Sequence, residues 1–414
     1  MRAAIISCLS LAFGLHATHS PAAPVGEAFT LGAYYRLQSP TDNFTWNFGF
    51  MDMARIGCNR VVASGNLWGD AASALKNWDM KAITAYSQLN NYPGPGNWPD
   101  ALMTNDIINT LNLYDGYADG DIIIGHVMDD EPECRSITAD EINYLRHWAD
   151  LYHQYNPNRE AWVNHCDPPW IDFNEKRASC SANATTIVNG SRIPDRIAAA
   201  QAIGLPNFTT VSLQGHIFAW ATSGGATDGC GQFNYWGMGP CPGVRSWADD
   251  RTHHQDAYDM MMAAYLFGSD GYQPYIYNQG QGVSFVDANG NDTYGIRAAF
   301  KAGAHDIRRA HGWPGVNMTN NGVEFNDRTW YSQGPYALTA DAESESSTIT
   351  KVEFGKSVNG GVNWSAIEDT TAPYSAVFNT SSSLGQQVVI FRARSFDAAG
   401  KKSLFDANLI WITN

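Results

Sequence analysis

The sequence predicts an α/β protein, a (β/α)8 TIM barrel followed by an all-β sandwich. Three observations predict it. From about residue 28 to residue 313, short apolar runs rich in β-branched residues alternate with segments of helical spacing. Such alternation implies parallel βαβ units, and eight of them in roughly 300 residues fit a closed barrel. From Tyr336 onward, period-two runs alternate with Gly, Asn and Ser turns and helical spacing disappears. An open doubly wound sheet is the rival for the first part, but no glycine-rich dinucleotide fingerprint follows the first strand.

In chain order, Phe29 to Leu37 reads as the first strand, Thr45 to Ile56 as a helix and Asn59 to Ala63 as the second strand. Ala71 to Trp78 is a short helix, and Lys81 to Leu89 a third strand whose end carries Gln88 and Asn90. After the Pro/Gly loop at residues 92–96, Asp100 to Leu113 is a helix. The fourth strand starts at Asp121 with Ile122, Ile123 and Ile124 and ends in Asp129-Asp130-Glu131-Pro132-Glu133. Thr138-Ala139-Asp140-Glu141 opens the next helix as a capping box. Glu160 to Asn164 is the fifth strand, Thr185 to Val188 the sixth, ending at Asn189, and Phe208 to Leu213 the seventh. Tyr272 to Tyr277 is the eighth, and Thr293 to His311 the final helix. The barrel is expected over residues 28–315 and the sandwich over 335–414.

Met1-Arg2, an apolar run from Ala3 to Leu15 and small residues through Ala23 predict a signal peptide over residues 1–23, hence a secreted protein. Cys8 leaves with it, and six cysteines remain. An even number in an exported chain suggests disulfides. Cys166 with Cys180 and Cys230 with Cys241 are the local choices, and Cys58 with Cys134 would tie two strand ends together. A zinc site is the rival use of these thiols, but none shows CxxC spacing. The formal charge of -15 and the lack of any basic run argue against nucleic-acid and anionic-membrane partners, and a monomer is expected. Fourteen Trp and nineteen Tyr are many for 414 residues. Aromatic faces outside a core suit apolar ligand surfaces, including the C–H faces of sugars.

Barrel chemistry sits at the C-terminal ends of the strands. Those ends carry Tyr35, Asn164, His165, Asp167, Gln214, His216 and Tyr277, with Trp170 and Trp220 in the loops beyond. The set is rich in amides and aromatics and poor in cations. Amides offer donors and acceptors together, as sugar hydroxyls require, whereas phosphate or carboxylate substrates call for Arg and Lys. These nine residues are therefore read as substrate-binding. The centre is the acidic end of the fourth strand. Side chains in a strand alternate, so a regular strand points Asp129 and Glu131 one way and Asp130 the other. Only five Glu occur between Phe29 and Trp313, and Glu131 alone stands at a strand end beside two further carboxylates. Crowding of that kind raises a carboxyl pKa, as a general acid needs. His126 reads as a buried barrel histidine. No metal or other cofactor is expected.

Asp130-Glu131-Pro132 resembles the Asn-Glu-Pro of clan A glycoside hydrolases, in which the Glu ending strand four is the acid/base. The resemblance implies a glycosidase acting on a polysaccharide or oligosaccharide, with Glu131 as proton donor, Asp129 tuning it and Asp130 binding substrate or stabilising an intermediate. This sequence departs from the clan by having Asp130 for the Asn and Gln214, not a Glu, where strand seven ends. Asp129-x-Glu131 is similar to the ending of chitinase-type barrels and Asp130-Glu131 to the pair of hexosaminidases, both of which use the substrate's acetamido group as nucleophile. Otherwise Asp167 activates water from across the cleft. Further along, Val352-Glu353-Phe354, Thr370 to Ser375 and Ala393 to Gly400 resemble the bacterial immunoglobulin-like modules of secreted polysaccharide-active enzymes, which act as spacers or weak binding units. A non-catalytic carbohydrate-binding protein on a degenerate barrel is the alternative, and a polysaccharide lyase the third reading.

Overall fold

The computed structural model describes residues 30–36, 45–64, 67, 69–85, 92–130, 132, 136–165, 173–174, 177–182, 211–215, 258, 261–262, 264–266, 271–274, 296–381 and 387–413. Eight parallel strands follow one another around a ring. They are β1 (Thr30–Arg36), β2 (Arg60–Ser64), β3 (Lys81–Ala85), β4 (Ile123–Asp130), β5 (Glu160–His165), β6 (Arg177–Ala182), β7 (Val211–Gly215) and β8 (Gly271–Pro274). β8 returns to β1 through Thr30 opposite Gly271 and Leu31 opposite Tyr272. Among the described residues, α1 (Thr45–Arg55), α2 (Gly69–Asn77), α3 (Asp100–Asp115) and α4 (Ala139–Tyr155) follow β1 to β4, and α5 (Ile296–Ala310) follows β8.

The local chemistry explains these bounds. Thr138 caps α4 by accepting from the Glu141 N–H at 3.2 Å, and the Glu141 carboxylate accepts from the Thr138 N–H at 2.7 Å. Gly57, at φ 102°, turns α1 into β2, and a Cβ there would lie 2.6 Å from that of Ala304 on α5. Arg159 braces the start of β4, donating to the Ile123 carbonyl at 3.0 Å and to Asp115 at 2.7 Å. Inside the ring, Val62, Ile83, Val127 and Trp162 pack together. Outside it, Met128, Ala161 and Val163 pack on residues of α3 and α4 such as Ile107, Leu145 and Trp148.

Several sequence expectations are corrected here. The sixth strand is Arg177–Ala182, paired with β5 and β7, not Thr185 to Val188, which lies outside the described residues. Its sequence Arg-Ala-Ser-Cys-Ser-Ala has no β-branched or aromatic residue, so pairing on both sides overrides propensity. β3 covers Lys81–Ala85 and β8 Gly271–Pro274, and Gln88, Asn90 and Tyr277 lie outside the described residues. β7 runs on to Gly215, so Gln214 lies within it. Cys58 is a free, buried thiol, not half of a bridge to Cys134. Cys58 precedes β2 at the N-terminal end of the ring, whereas Cys134 comes after the C-terminal end of β4 in sequence and lies outside the described residues.

Strands resume at Gly315, earlier than the period-two pattern suggests. β9 (Gly315–Asn320), β10 (Val323–Glu324), β12 (Gly334–Glu343) and β15 (Tyr374–Thr380) form one antiparallel sheet. β11 (Thr329–Ser332), β13 (Ile349–Ser357), β14 (Ser365–Asp369), β16 (Gln387–Asp397) and β17 (Asp406–Thr413) form the other, antiparallel except for β11 alongside β17. Leu338, Val352, Phe354, Phe378, Phe391 and Ile410 fill the space between the sheets.

The opposite face of the second sheet is also buried. Ile390, Phe405, Ala407 and Leu409 join Phe50, Met53, Ala54, Trp78, Ala304 and Ile307 of the helical layer in one core. Trp78 meets Trp364 and Phe405 edge-on, at centroid distances of 5.2 and 5.4 Å. Arg392 lies 3.8 Å over the Trp364 ring and donates to the Asn77 carbonyl at 2.5 Å. Burial pushes its guanidinium down to about 10, so it stays a cation at neutral pH. Asp52 of α1, buried, binds Arg297 at 2.7 Å and, from the sandwich, Arg328 at 2.6 Å. The sheets are thus packed on the barrel as an integral layer, unlike a tethered spacer.

Candidate active site

The acidic end of β4 is shaped by a β-bulge. β4 and β5 pair one for one up to Val127 opposite Trp162, and then Asp129 stands opposite Val163, leaving Met128 as the extra residue. Val163 faces the helices, as Met128 does, whereas Trp162 faces the inside of the ring. Asp129 is buried beside that outer row, and its Oδ1 accepts the Asp130 N–H at 2.8 Å. Asp130 is exposed and stands opposite Asn164, two residues beyond inward-facing Trp162. The Asn164 Nδ2 donates to Asp130 Oδ1 at 2.6 Å. The expected alternation therefore fails at the bulge. Asp130 shares the inner row with Asn164, and Asp129 braces the turn from behind.

His165 is the last residue of β5. It is fully buried and stacks on Phe173, with centroids 5.8 Å apart. Phe173 belongs to the helix-side core, and His165 packs against it. Tyr35 and Gln214 hold positions near the C-terminal ends of β1 and β7, with Tyr35 opposite Ala63 and Gln214 opposite Ser181 and Gln273. Glu131, Asp167, Trp170, His216, Trp220 and Tyr277 lie outside the described residues. Nothing in the residue pattern marks a one-residue bulge, so the sequence does not announce the contact between Asp130 and Asn164.

His126 takes the structural role expected of it. Its Nδ1 lies 3.0 Å from Thr84 Oγ1 and its ring packs against Trp148 and Tyr152 on α4. Burial pushes its pKa down from 6.5 to about 4. Between those values the unfolded chain takes up a proton that the folded one refuses, so lowering the pH favours unfolding. The stability contributed by the neutral ring is complete above about pH 6.5 and falls by about 3 kcal/mol towards pH 4. Urea unfolding at a series of pH values reads this slope, and His126→Gln should flatten it; an unchanged slope would remove His126 as its source.

Chemically, the rim offers a carboxylate oriented by an amide, with a second carboxylate fixing the backbone behind it and a third following in sequence. No family model matches the chain, and no curated protein matches it. Among solved structures, it is similar to the β-glucuronidase of Parabacteroides merdae, at 10% identity and a TM-score of 0.45, covering 93% of this chain and 50% of that one. It is similar to the FMN-binding β-glucuronidase from Facaelibacterium prausnitzii L2-6, at 9% identity and a TM-score of 0.49, covering 96% and 58%. It is also similar to the GH2 β-galacturonidase from Eisenbergiella tayi bound to galacturonate, at 11% identity and a TM-score of 0.49, covering 68% and 51%. The chain spans about half the length of these proteins.

Proposed function

We propose that this protein is a secreted glycoside hydrolase that cleaves a polysaccharide or oligosaccharide on a (β/α)8 barrel, with residues 335–414 belonging to an immunoglobulin-like module. The observation that carries the reading is the Asp130–Asn164 pair, held at 2.6 Å at the C-terminal ends of adjacent parallel strands. Glu131 follows Asp130 directly in the sequence. In this reading Glu131 protonates the leaving oxygen. Asp130 keeps acceptor capacity beyond the Asn164 bond, which suits a sugar hydroxyl or the N–H of an acetamido group. The bulge favours Asp130 over Asp129 as the partner of Glu131, because it places Asp130 on the inner row. The pairing Asp130-Glu131 thus has more support than Asp129-x-Glu131. The N-terminal apolar run from Ala3 to Leu15 supports export.

Gln214 in β7, where a double displacement of the clan A kind would need a Glu, favours a second reading, a carbohydrate-binding protein without turnover. One assay separates the two. The purified protein is incubated with neutral glucans, xylans, uronate polymers and N-acetylhexosamine polymers, and new reducing ends are counted. The glycosidase reading expects release from at least one class. Binding without release selects the second reading, and unsaturated ends absorbing in the ultraviolet select a lyase.

A further inference from the structure

A cleft opens at the end of the barrel away from the acidic rim. Two loops frame it, one running from the end of α3 into β4 and one from the end of α4 into β5. Both lie at the N-terminal ends of the parallel strands, whereas Asp130 and Asn164 stand at the C-terminal ends. The cleft has a volume of about 470 Å³, within the span of about 300–1,000 Å³ usual for small-molecule sites. Its walls combine three kinds of surface. Asp115 and Asp121 bring carboxylates, Asn156 and Asn158 bring amides, and Tyr117 and Ile124 bring apolar area.

The walls are fixed from behind. Arg159, buried, ties the two loops together by donating from Nε to the Ile123 carbonyl at 3.0 Å and from Nη2 to Asp115 Oδ1 at 2.7 Å. The Tyr117 hydroxyl donates to the Leu67 carbonyl at 2.7 Å, which holds its ring in place. Lys76 lies 3.4 Å from Asp121 Oδ1. Each carboxylate of the cleft thus has a cation beside it. An anionic ligand would face the two carboxylates, and a cationic one would compete with Arg159 and Lys76 for them. What the cleft has to offer is neutral hydrogen bonding. Among the described residues, Asp115 and Asp121 use only Oδ1, which leaves each an accepting oxygen. Among the same residues, Asn156 and Asn158 bond to protein through their backbones alone, so their amides present a donor and an acceptor side by side. Acceptors, donors and an apolar wall together match a sugar ring, with hydroxyls around its edge and C–H groups on its face.

We propose that this cleft is a non-catalytic binding site for a neutral sugar of one or two units, held by Asp115, Asp121, Asn156 and Asn158. The site goes beyond the glycosidase reading, since it calls for no turnover and uses no residue of the rim. It would hold a polymer end or a released fragment at the side of the barrel opposite the acidic cluster.

The test is equilibrium binding by the whole chain, read by saturation-transfer NMR and calorimetry. Cellobiose, xylobiose and lactose are the neutral probes, and galacturonate and glucosamine the charged ones. The expected result is saturable binding of at least one neutral probe, with neither charged probe binding more tightly. Asp121→Ala combined with Asn158→Ala should weaken that binding about tenfold, the worth of one or two neutral hydrogen bonds. Both side chains are exposed, so the unfolding midpoint should stay close to the parent's. Asn158→Ala alone, which keeps the pair with Lys76, serves if the double variant is unstable. Asp130→Asn should leave the binding in place. Absence of neutral binding, tighter binding of a charged probe, or binding that survives the double variant would overturn the proposal. Because binding is measured without turnover, a protein that releases no reducing ends yet binds in this pattern would lose the glycosidase reading and keep the cleft.

Discussion

Glu131→Gln lowers turnover by between about a hundredfold and ten-thousandfold on whichever polymer the protein cleaves, with little change in KM. Gln keeps the shape of the side chain and its hydrogen bonding but has no proton to give. The loss should be largest on substrates with poor leaving groups and smallest on activated aryl glycosides, whose leaving oxygen needs little help. Far-ultraviolet circular dichroism and the unfolding midpoint should stay with the parent, because the substitution removes one proton donor and no packing. Activity within a few-fold of the parent on an unactivated substrate would remove Glu131 from the reaction. Asp130→Asn provides the contrast: it leaves Glu131 in place and removes the charge that accepts from Asn164.

Trp78→Ala destabilises the whole chain by about 3–5 kcal/mol. Trp78 is buried between the helical layer and the second sheet of the sandwich, and it is the common neighbour of Trp364, Phe405 and Arg392. Removing it opens a cavity on both sides of that contact and takes one ring from beneath a buried guanidinium. The adjacent bonds from Asn77 to the Val362 carbonyl at 2.9 Å and from Arg394 to Asp79 at 2.9 Å remain but span a looser joint. Urea unfolding followed by tryptophan emission and by circular dichroism should give one shared transition in the parent and one in the variant, at lower urea. Two separate transitions in the parent would show that barrel and sandwich unfold independently.

Much of the fold is legible in the residues because its signals are local. The Ile run of β4 and the Thr138–Glu141 capping box announce their elements within a few positions. β6 is silent because Arg177–Ala182 becomes a strand through its neighbours, not through its composition. β9 to β11 are short and broken by turns, and they acquire their identity by pairing, β9 with β12, β10 with β9 and β11 with β17. At the rim, the residue types were readable and their directions were not. A period-two rule assigns sides only while pairing stays one for one, and Met128 interrupts it. His165 reads as a polar group at a strand end, but a strand end has two faces, and the ring stacks on Phe173 at the outer one.

That interruption means the side on which each aspartate lies is set by counting, not by chemistry. Deleting Met128 would leave Asp129 opposite Val163 and Asp130 opposite Asn164, whereas a strand that kept Met128 and paired one for one would send Asp130 towards the helices and Asp129 towards the hollow without altering a single acid. Whether the strand keeps its bulge would then matter more than most exchanges of one residue for another, and two sequences that both read Asp-Asp-Glu could present opposite faces to whatever they hold.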